Sequence, residues 1–389
     1  MSRDLLLILV ARLLRACAFG MSAVVLGLQL ERLGLSSAEI GVVLTIGLLS
    51  AAVGGVIAAA VSARIGRRAT LAIAGALMAL AGIDLAIASA PALLALAAAT
   101  GMLGAANVDF GAYASIEQAA LAESVVPSRR NLAFARYSLT GGLAAAFGAA
   151  SAAFATTLER GRLLFAAYAL IGVITAWLAL SLSPRAEAPI QGKAISRKQI
   201  RALTPLSALF ALDALGGGLV ANAVIAYWLH VRFGAGADAL GPAFAAIALL
   251  QSASYEVSGR LANRIGLIRT MVFSHVPSNV LLALVPLSPT LPWAIALLLA
   301  RFSLSQMDVP ARQAFVVSIV LSQERAGAVA FTGLVRGLGQ AAGPLLSGAA
   351  IQGAALGLPF FAAGGLKLIY DGTLYVAFRR RRGEHETVG

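Results

Sequence analysis

Ionisable side chains stand inside long apolar runs of this 389-residue sequence. A charge at bilayer depth costs about 2.5–3.5 kcal/mol on insertion scales, so a charge kept there is normally paired or in use. Asp109, Tyr113 and Glu117 recur at intervals of four, which on a helix puts them on one face. Arg301, Asp308 and Arg312 share a face at spacings of seven and four, and Asp213 lies in a separate run. Arg12 and Arg15 sit in the first run, Arg136 opens the fifth, Arg336 lies in the eleventh, and Lys367 and Asp371 are four apart in the twelfth. A carboxylate in low dielectric holds its proton unless a cation offsets it. Asp109 and Asp308 are therefore expected to move protons or to hold a polar solute. The competing expectation is static pairing, Asp308 with Arg312 and Glu117 with Arg136. Pro310 removes a helical hydrogen bond beside Asp308 and Arg312, which frees a carbonyl for binding or only kinks the helix.

Met271 and His275 share a face in the ninth run, and such a pair can ligate a soft cation. No second Met/His pair stands near, so His275 reads first as a hydrogen-bonded packing residue and no metal site is assigned. No His-x-x-Glu-His, Gly-x-Ser-x-Gly, clustered Asp or Gly-rich phosphate loop lies at a membrane boundary, so no enzymatic role and no cofactor are expected.

The elements that must position these groups are membrane helices. Of the residues, 59% are hydrophobic and 12% charged, with a mean hydropathy of +0.86. A soluble domain carries about 25% charged residues, so a water-soluble fold is excluded. Apolar runs long enough to cross a bilayer are expected at roughly 4–30, 38–62, 69–90, 92–117, 131–156 and 161–183. After a basic stretch they resume at roughly 205–231, 239–262, 269–288, 292–317, 327–351 and 356–378. The expected organisation is a six-helix bundle over 1–184, a linker over 185–204, a second bundle over 205–380 and a tail over 381–389. The first run is too long for a signal-peptide core and reads as an uncleaved span. The single cysteine, Cys17, lies within it, so no disulfide framework is expected.

The net charge of +13 follows topology. Arg64, Arg67, Arg68, Arg129, Arg130, Arg185, Lys193, Arg197, Lys198, Arg201, Arg260, Arg264, Arg269, Arg325 and Arg379 to Arg382 fall on one predicted side. Arg32, Arg160, Arg162 and Arg232 fall on the other. This positive-inside bias puts both termini and the linker in the cytoplasm and argues against a nucleic-acid partner.

The two halves repeat. Arg64-Ile65-Gly66 recurs 200 residues on as Arg264-Ile265-Gly266, and Arg32-Leu33-Gly34 recurs as Arg232-Phe233-Gly234. Thr70 matches Thr270 at the same offset, and Asp109 matches Asp308 at 199. Gln118-Ala119 and Arg130 match Gln313-Ala314 and Arg325 at 195. A duplicated six-helix half follows.

The stretch Ala59-Ala60-Val61-Ser62-Ala63-Arg64-Ile65-Gly66-Arg67-Arg68 resembles the major facilitator signature G-x-x-x-D-R-x-G-R-R, with Ala59 and Ala63 in place of the Gly and the Asp. The second copy, Gly259-Arg260-Leu261-Ala262-Asn263-Arg264-Ile265-Gly266, keeps the first Gly and has Asn263 at the Asp position. With the span count and the repeat, the resemblance covers the whole chain. It implies an all-α integral membrane fold of twelve helices in two pseudo-symmetric bundles. It also implies a gating loop at Arg64, Gly66, Arg67, Arg264 and Gly266, although the Asp that helps form the family's latch is missing. Spans one, four, seven and ten would face a central cavity, putting Asp109, Tyr113, Glu117, Asp213, Asp308 and Arg312 in a substrate-binding or proton-coupling role. Lys367 and Asp371, on an outer span, then read as a structural pair.

The segment from Arg336 to Gly348 resembles the family's Gly- and Pro-rich antiporter motif, but in the eleventh span rather than the fifth. It is read as a packing and hinge element with slight support for efflux. The expected function is alternating-access transport of a small polar or charged solute by a monomer in the bacterial cytoplasmic (inner) membrane. Protons and the lipid bilayer are the other expected partners. An uptake carrier for a solute or metal, or a receptor on the same fold, is the alternative.

Overall fold

A computed structural model of the chain describes residues 3–104, 113, 116–117, 130–183, 196–309, 312, 315–316, 320 and 325–378. No strand occurs among them. The helices are α1 (Arg3–Arg32), α2 (Ser37–Ile65), α3 (Arg67–Ile87), α4 (Pro91–Ala99), α5 (Arg130–Ser151), α6 (Leu158–Leu180) and α7 (Arg197–Leu219). They continue as α8 (Asn222–Phe233), α9 (Ala237–Ile265), α10 (Leu267–Leu284), α11 (Leu291–Ser305), α12 (Arg325–Gln352) and α13 (Leu358–Phe378). Among the described residues, six segments are long and apolar enough to cross a bilayer: α1, α2, α3, α6, α7 with α8, and α10 with the turn that follows it. Their mean hydropathies run from 1.5 to 2.3, and α11 is a shorter apolar helix.

The tight turns come from glycines in duplicate. Gly66 has φ 89° and ψ 162°, and Gly266 has φ 87° and ψ 162°, a region that side chains with a Cβ rarely enter. In both copies the following threonine caps the turn: Thr70 Oγ1 donates to Gly66 O at 2.7 Å, and Thr270 Oγ1 to Gly266 O at 2.8 Å. Arg64 and Arg264 are exposed beside these turns, whereas Arg67 is buried. Arg68 Nη2 ties the start of α3 to the end of α6 through Leu180 O at 2.5 Å.

The sequence pattern missed three backbone features. The fourth span, expected to run unbroken over 92–117, ends as a helix at Ala99. Gly101 (φ 71°) and Gly104 (φ 63°) turn the chain. Freed carbonyls within the bilayer need partners. Ser22 Oγ donates to Leu103 O and the Tyr168 hydroxyl to Met102 O. The seventh span is also divided, at Val220 and Ala221 between α7 and α8, and Ser347 Oγ caps Leu219 O at 2.7 Å. Finally, α7 begins at Arg197, N-capped by Ser196, inside the expected 185–204 linker. Pro310 lies outside the described residues, and α11 has already ended at Ser305.

First-half helices meet second-half helices mainly through α2 on α12, α5 on α9 and α1 on α8. Small residues set the separation. A Cβ on Gly348 of α12 would lie 2.5 Å from Ser37 O and 2.8 Å from Gly41 Cα on α2. One on Gly343 would lie 2.1 Å from Gly218 C on α7. One on Gly339 would lie 2.5 Å from Ala211 O. The Arg336–Gly348 segment is thus the strip by which α12 is pressed between α2 and α7. Near the ends bearing Arg32 and Arg232, His230 Nε2 lies 2.9 Å from Glu31 Oε2, and the Tyr227 and Ser37 hydroxyls lie 2.8 Å apart. These contacts clasp α8 to the α1–α2 corner.

Replacing Gly343 by Ala is expected to destabilise the purified protein by about 1–3 kcal/mol through overpacking. Gly333→Ala, with open space at its Cβ, is expected to be neutral or slightly stabilising. Thermal unfolding in detergent checks the contrast.

A candidate solute and proton site among buried charges

Each half buries an ionic cluster. In the first, Arg15 on α1 meets Glu117 through both carboxylate oxygens, Nη1 to Oε1 at 2.7 Å and Nη2 to Oε2 at 2.5 Å. The Tyr137 hydroxyl, from α5, donates to Glu117 Oε2 at 2.9 Å. Arg15 also lies over the Tyr113 ring, with Cζ 3.9 Å from the centroid, and Arg12 lies 4.4 Å over the ring of Tyr137. All five side chains are buried. Gly141 makes room for Arg12, since a Cβ there would sit 2.5 Å from its Nη2. Bidentate pairing with a flanking phenol and aromatic faces satisfies charges that water cannot reach.

The second cluster is larger and centres on Asp213 of α7. Lys367 Nζ, from α13, donates to Asp213 Oδ1 at 2.6 Å, and Arg336 Nη1, from α12, to Oδ2 at 3.0 Å. Arg312 Nη1 is 3.8 Å from Oδ2, while it donates to Asp308 Oδ2. His275 on α10 bridges two acids, with Nδ1 2.8 Å from Asp371 Oδ1 and Nε2 3.7 Å from Asp213 Oδ1. Asn279 Nδ2 donates to Asp371 Oδ2 at 2.9 Å. The stem of Lys367 crosses α7 over Gly216, where a Cβ would be 3.0 Å from its Cγ. The glycine run of α7 therefore lets an outer-helix lysine reach Asp213.

Several pairings differ from the sequence expectation. Glu117 is held by Arg15, whose helix lies alongside; the side chain of Arg136, its expected partner, is outside the described residues. Lys367 and Asp371 do not pair with each other. The lysine turns to Asp213, and Asp371 accepts from Asn279 and lies against His275. Helical spacing brings i and i+4 together, but partners on other helices outcompete an exposed-type pair when both groups are buried. Asp308 and Arg312 do pair as expected. His275 is hydrogen-bonded, as read from sequence, but between carboxylates. Asp109 lies outside the described residues. Tyr113, Glu117, Asp213, Asp308 and Arg312 all lie in one cluster or the other. Sequence reasoning named Arg15, Arg336 and Lys367 as intramembrane charges without assigning them to the site, and it did not single out Tyr137. One signal was available: Lys367 is the sole lysine inside any expected span.

The family model of the Major Facilitator Superfamily matches residues 8–231. The chain belongs to this superfamily. An uncharacterized membrane protein of Saccharomyces cerevisiae is 24% identical over 415 residues, covering 95% of this chain and 93% of the relative. The fold is similar to the nucleoside transporter NupG (TM-score 0.77, 14% identity, 98% and 100% of the two chains). It is also similar to a D-xylose-proton symporter (0.74, 15%, 95% and 97%) and to the human organic anion transporter MFSD10 (0.68, 16%, 96% and 100%). As a member of the major facilitator superfamily the chain is a multi-pass membrane transporter and not an enzyme.

Within this major facilitator fold the Arg15–Glu117 pair is open to a direct test. Glu117→Gln leaves a buried guanidinium without its carboxylate and is expected to destabilise by about 3–5 kcal/mol. Adding Arg15→Gln should recover much of that loss, giving a favourable coupling in a double-mutant cycle read by thermal or denaturant unfolding.

Proposed function

We propose that this superfamily member is a proton-coupled carrier that moves a small polar solute carrying a negative charge, by alternating access between two six-helix bundles. The carrying observation is Asp213, a single carboxylate on α7 that faces cationic or protonatable groups from α10, α12, α13 and the segment after α11. A group bonded to so many helices acts on all of them when its charge changes. An anion that neutralises a cation of this cluster leaves Asp213 short of countercharge, and a buried carboxyl in that position takes up a proton. Solute and proton then bind together, and the helices lose the contacts that held one arrangement.

Twelve helices and cytoplasmic termini belong to this proposal, on the repeat and the arginine distribution. So does the cytoplasmic membrane of a bacterium. The clasp of His230 and Tyr227 on Glu31 and Ser37 joins the halves at the end opposite the arginine-rich loops. It supports a state closed on that side. The expected outward direction drew on the Arg336–Gly348 segment, which close helix packing accounts for. Joint binding of anion and proton favours the symport sign instead.

In proteoliposomes, solute accumulation driven by an imposed proton gradient should fall at least tenfold in Asp213→Asn. Exchange of labelled for unlabelled solute at equal pH should be retained, because it needs no net proton movement. Gradient-driven accumulation surviving in Asp213→Asn would remove Asp213 from the coupling step.

A further inference from the structure

Buried charge among the described residues of the second cluster does not balance. Among the described residues, Asp213, Asp308 and Asp371 face the fixed cations Arg301, Arg312, Arg336 and Lys367. Each of the three acids has a hydrogen-bonded partner, and Arg312, Arg336 and Lys367 each meet a carboxylate. Arg301 does not. It lies on α11, is 6% exposed, and its Nε and Nη1 have no hydrogen-bond partner. Its aromatic neighbour is Phe302, with the guanidinium carbon 4.4 Å from the ring centroid, which offers a face but no countercharge. Ser305, one turn along the same face, is also buried with an unpartnered Oγ. Ser278 Oγ of α10 donates to the Arg301 carbonyl at 3.3 Å, fixing α11 against α10 beside Asn279. Asn279 Oδ1 is buried and unpartnered as well.

A buried cation without an acceptor is costly in the empty protein, and donors left open in a dry site are what an anionic ligand satisfies. We propose that Arg301, with Ser305, receives the carboxylate of a monoanionic solute. This deepens the carrier reading and rests on it. The charge ledger chooses among anions. One uncompensated positive charge matches one negative charge, and a proton then taken up by Asp213 returns the cluster to its resting charge, whereas a phosphate dianion would need two protons to do so. The planar guanidinium also suits a planar carboxylate better than a lysine ammonium would. Because the acids already hold cations, the rest of the solute needs no positive group.

The test uses the full-length protein in detergent and a matched panel: acetate, lactate and benzoate, the amide of each, and inorganic phosphate. Thermal unfolding should show at least one carboxylate raising the Tm while its amide does not. Arg301→Gln should weaken that effect more than tenfold in concentration, and Arg301→Lys should keep part of it. Without ligand, Arg301→Gln should melt at or above the wild-type temperature, since it removes an uncompensated charge. A lower unliganded Tm for Arg301→Gln would mark a structural guanidinium and overturn the proposal. So would a carboxylate shift that survives in that variant, a shift with phosphate alone, or no shift with any carboxylate. Counterflow of the stabilising carboxylate in vesicles separates the two readings. Binding through Arg301 without wild-type counterflow would leave this site standing and reject the carrier. Normal counterflow in Arg301→Gln would keep the carrier and reject the site.

Discussion

The packing of this molecule depends on charges at bilayer depth whose partners stand on other helices. Arg15 finds Glu117, and Asp213 finds Lys367 and Arg336. Each pairing fixes one helix against a neighbour more specifically than apolar contact can, because lipid tails compete with leucine but not with a guanidinium. The same pairings make the packing conditional on protonation and on solute. A fold held by apolar contacts alone would have no such switch. Close glycine contacts along α12 supply the complementary part, a surface on which two bundles meet with little side chain between them.

The duplicated halves use this device with opposite signs. The offset of 195 that aligns Gln118 with Gln313 also aligns Glu117 with Arg312. Opposite them, Arg15 on α1 corresponds in role to Asp213 on α7, so an arginine-to-acid pair in one half becomes an acid-to-arginine pair in the other. The first cluster is compact, bidentate and capped by a phenol. The second is spread over several helices and carries the unmatched cation. A closed pair suits a support, and an open network suits a site that must rearrange.

Much of the fold could be read from the sequence because hydropathy, arginine distribution and the Arg-Ile-Gly repeat are properties of single segments. Gly66 and Gly266 turned out to share one backbone conformation, as two copies of one turn should. What failed was partner choice. Spacing placed Lys367 beside Asp371, yet which side chain meets which depends on how helices far apart in sequence lie together. The break after Ala99 escaped because an alanine-rich run reads as helix. Only Gly101 and Gly104 mark the place, and the hydroxyls of Ser22 and Tyr168 that satisfy its carbonyls come from distant segments. Arg301 was visible as an intramembrane charge, but that it lacks a carboxylate appears only once every other pair is assigned.

The central claim is that an anion and a proton enter the second cluster together, and proton exchange on solute binding tests it most directly. Weakly buffered, detergent-purified protein would be titrated with the carboxylate that stabilises it while free proton concentration is followed by a pH indicator. Proton uptake that saturates with the carboxylate and disappears in Asp213→Asn is the predicted result. Saturable binding with no proton exchange, or with proton release, would contradict the account.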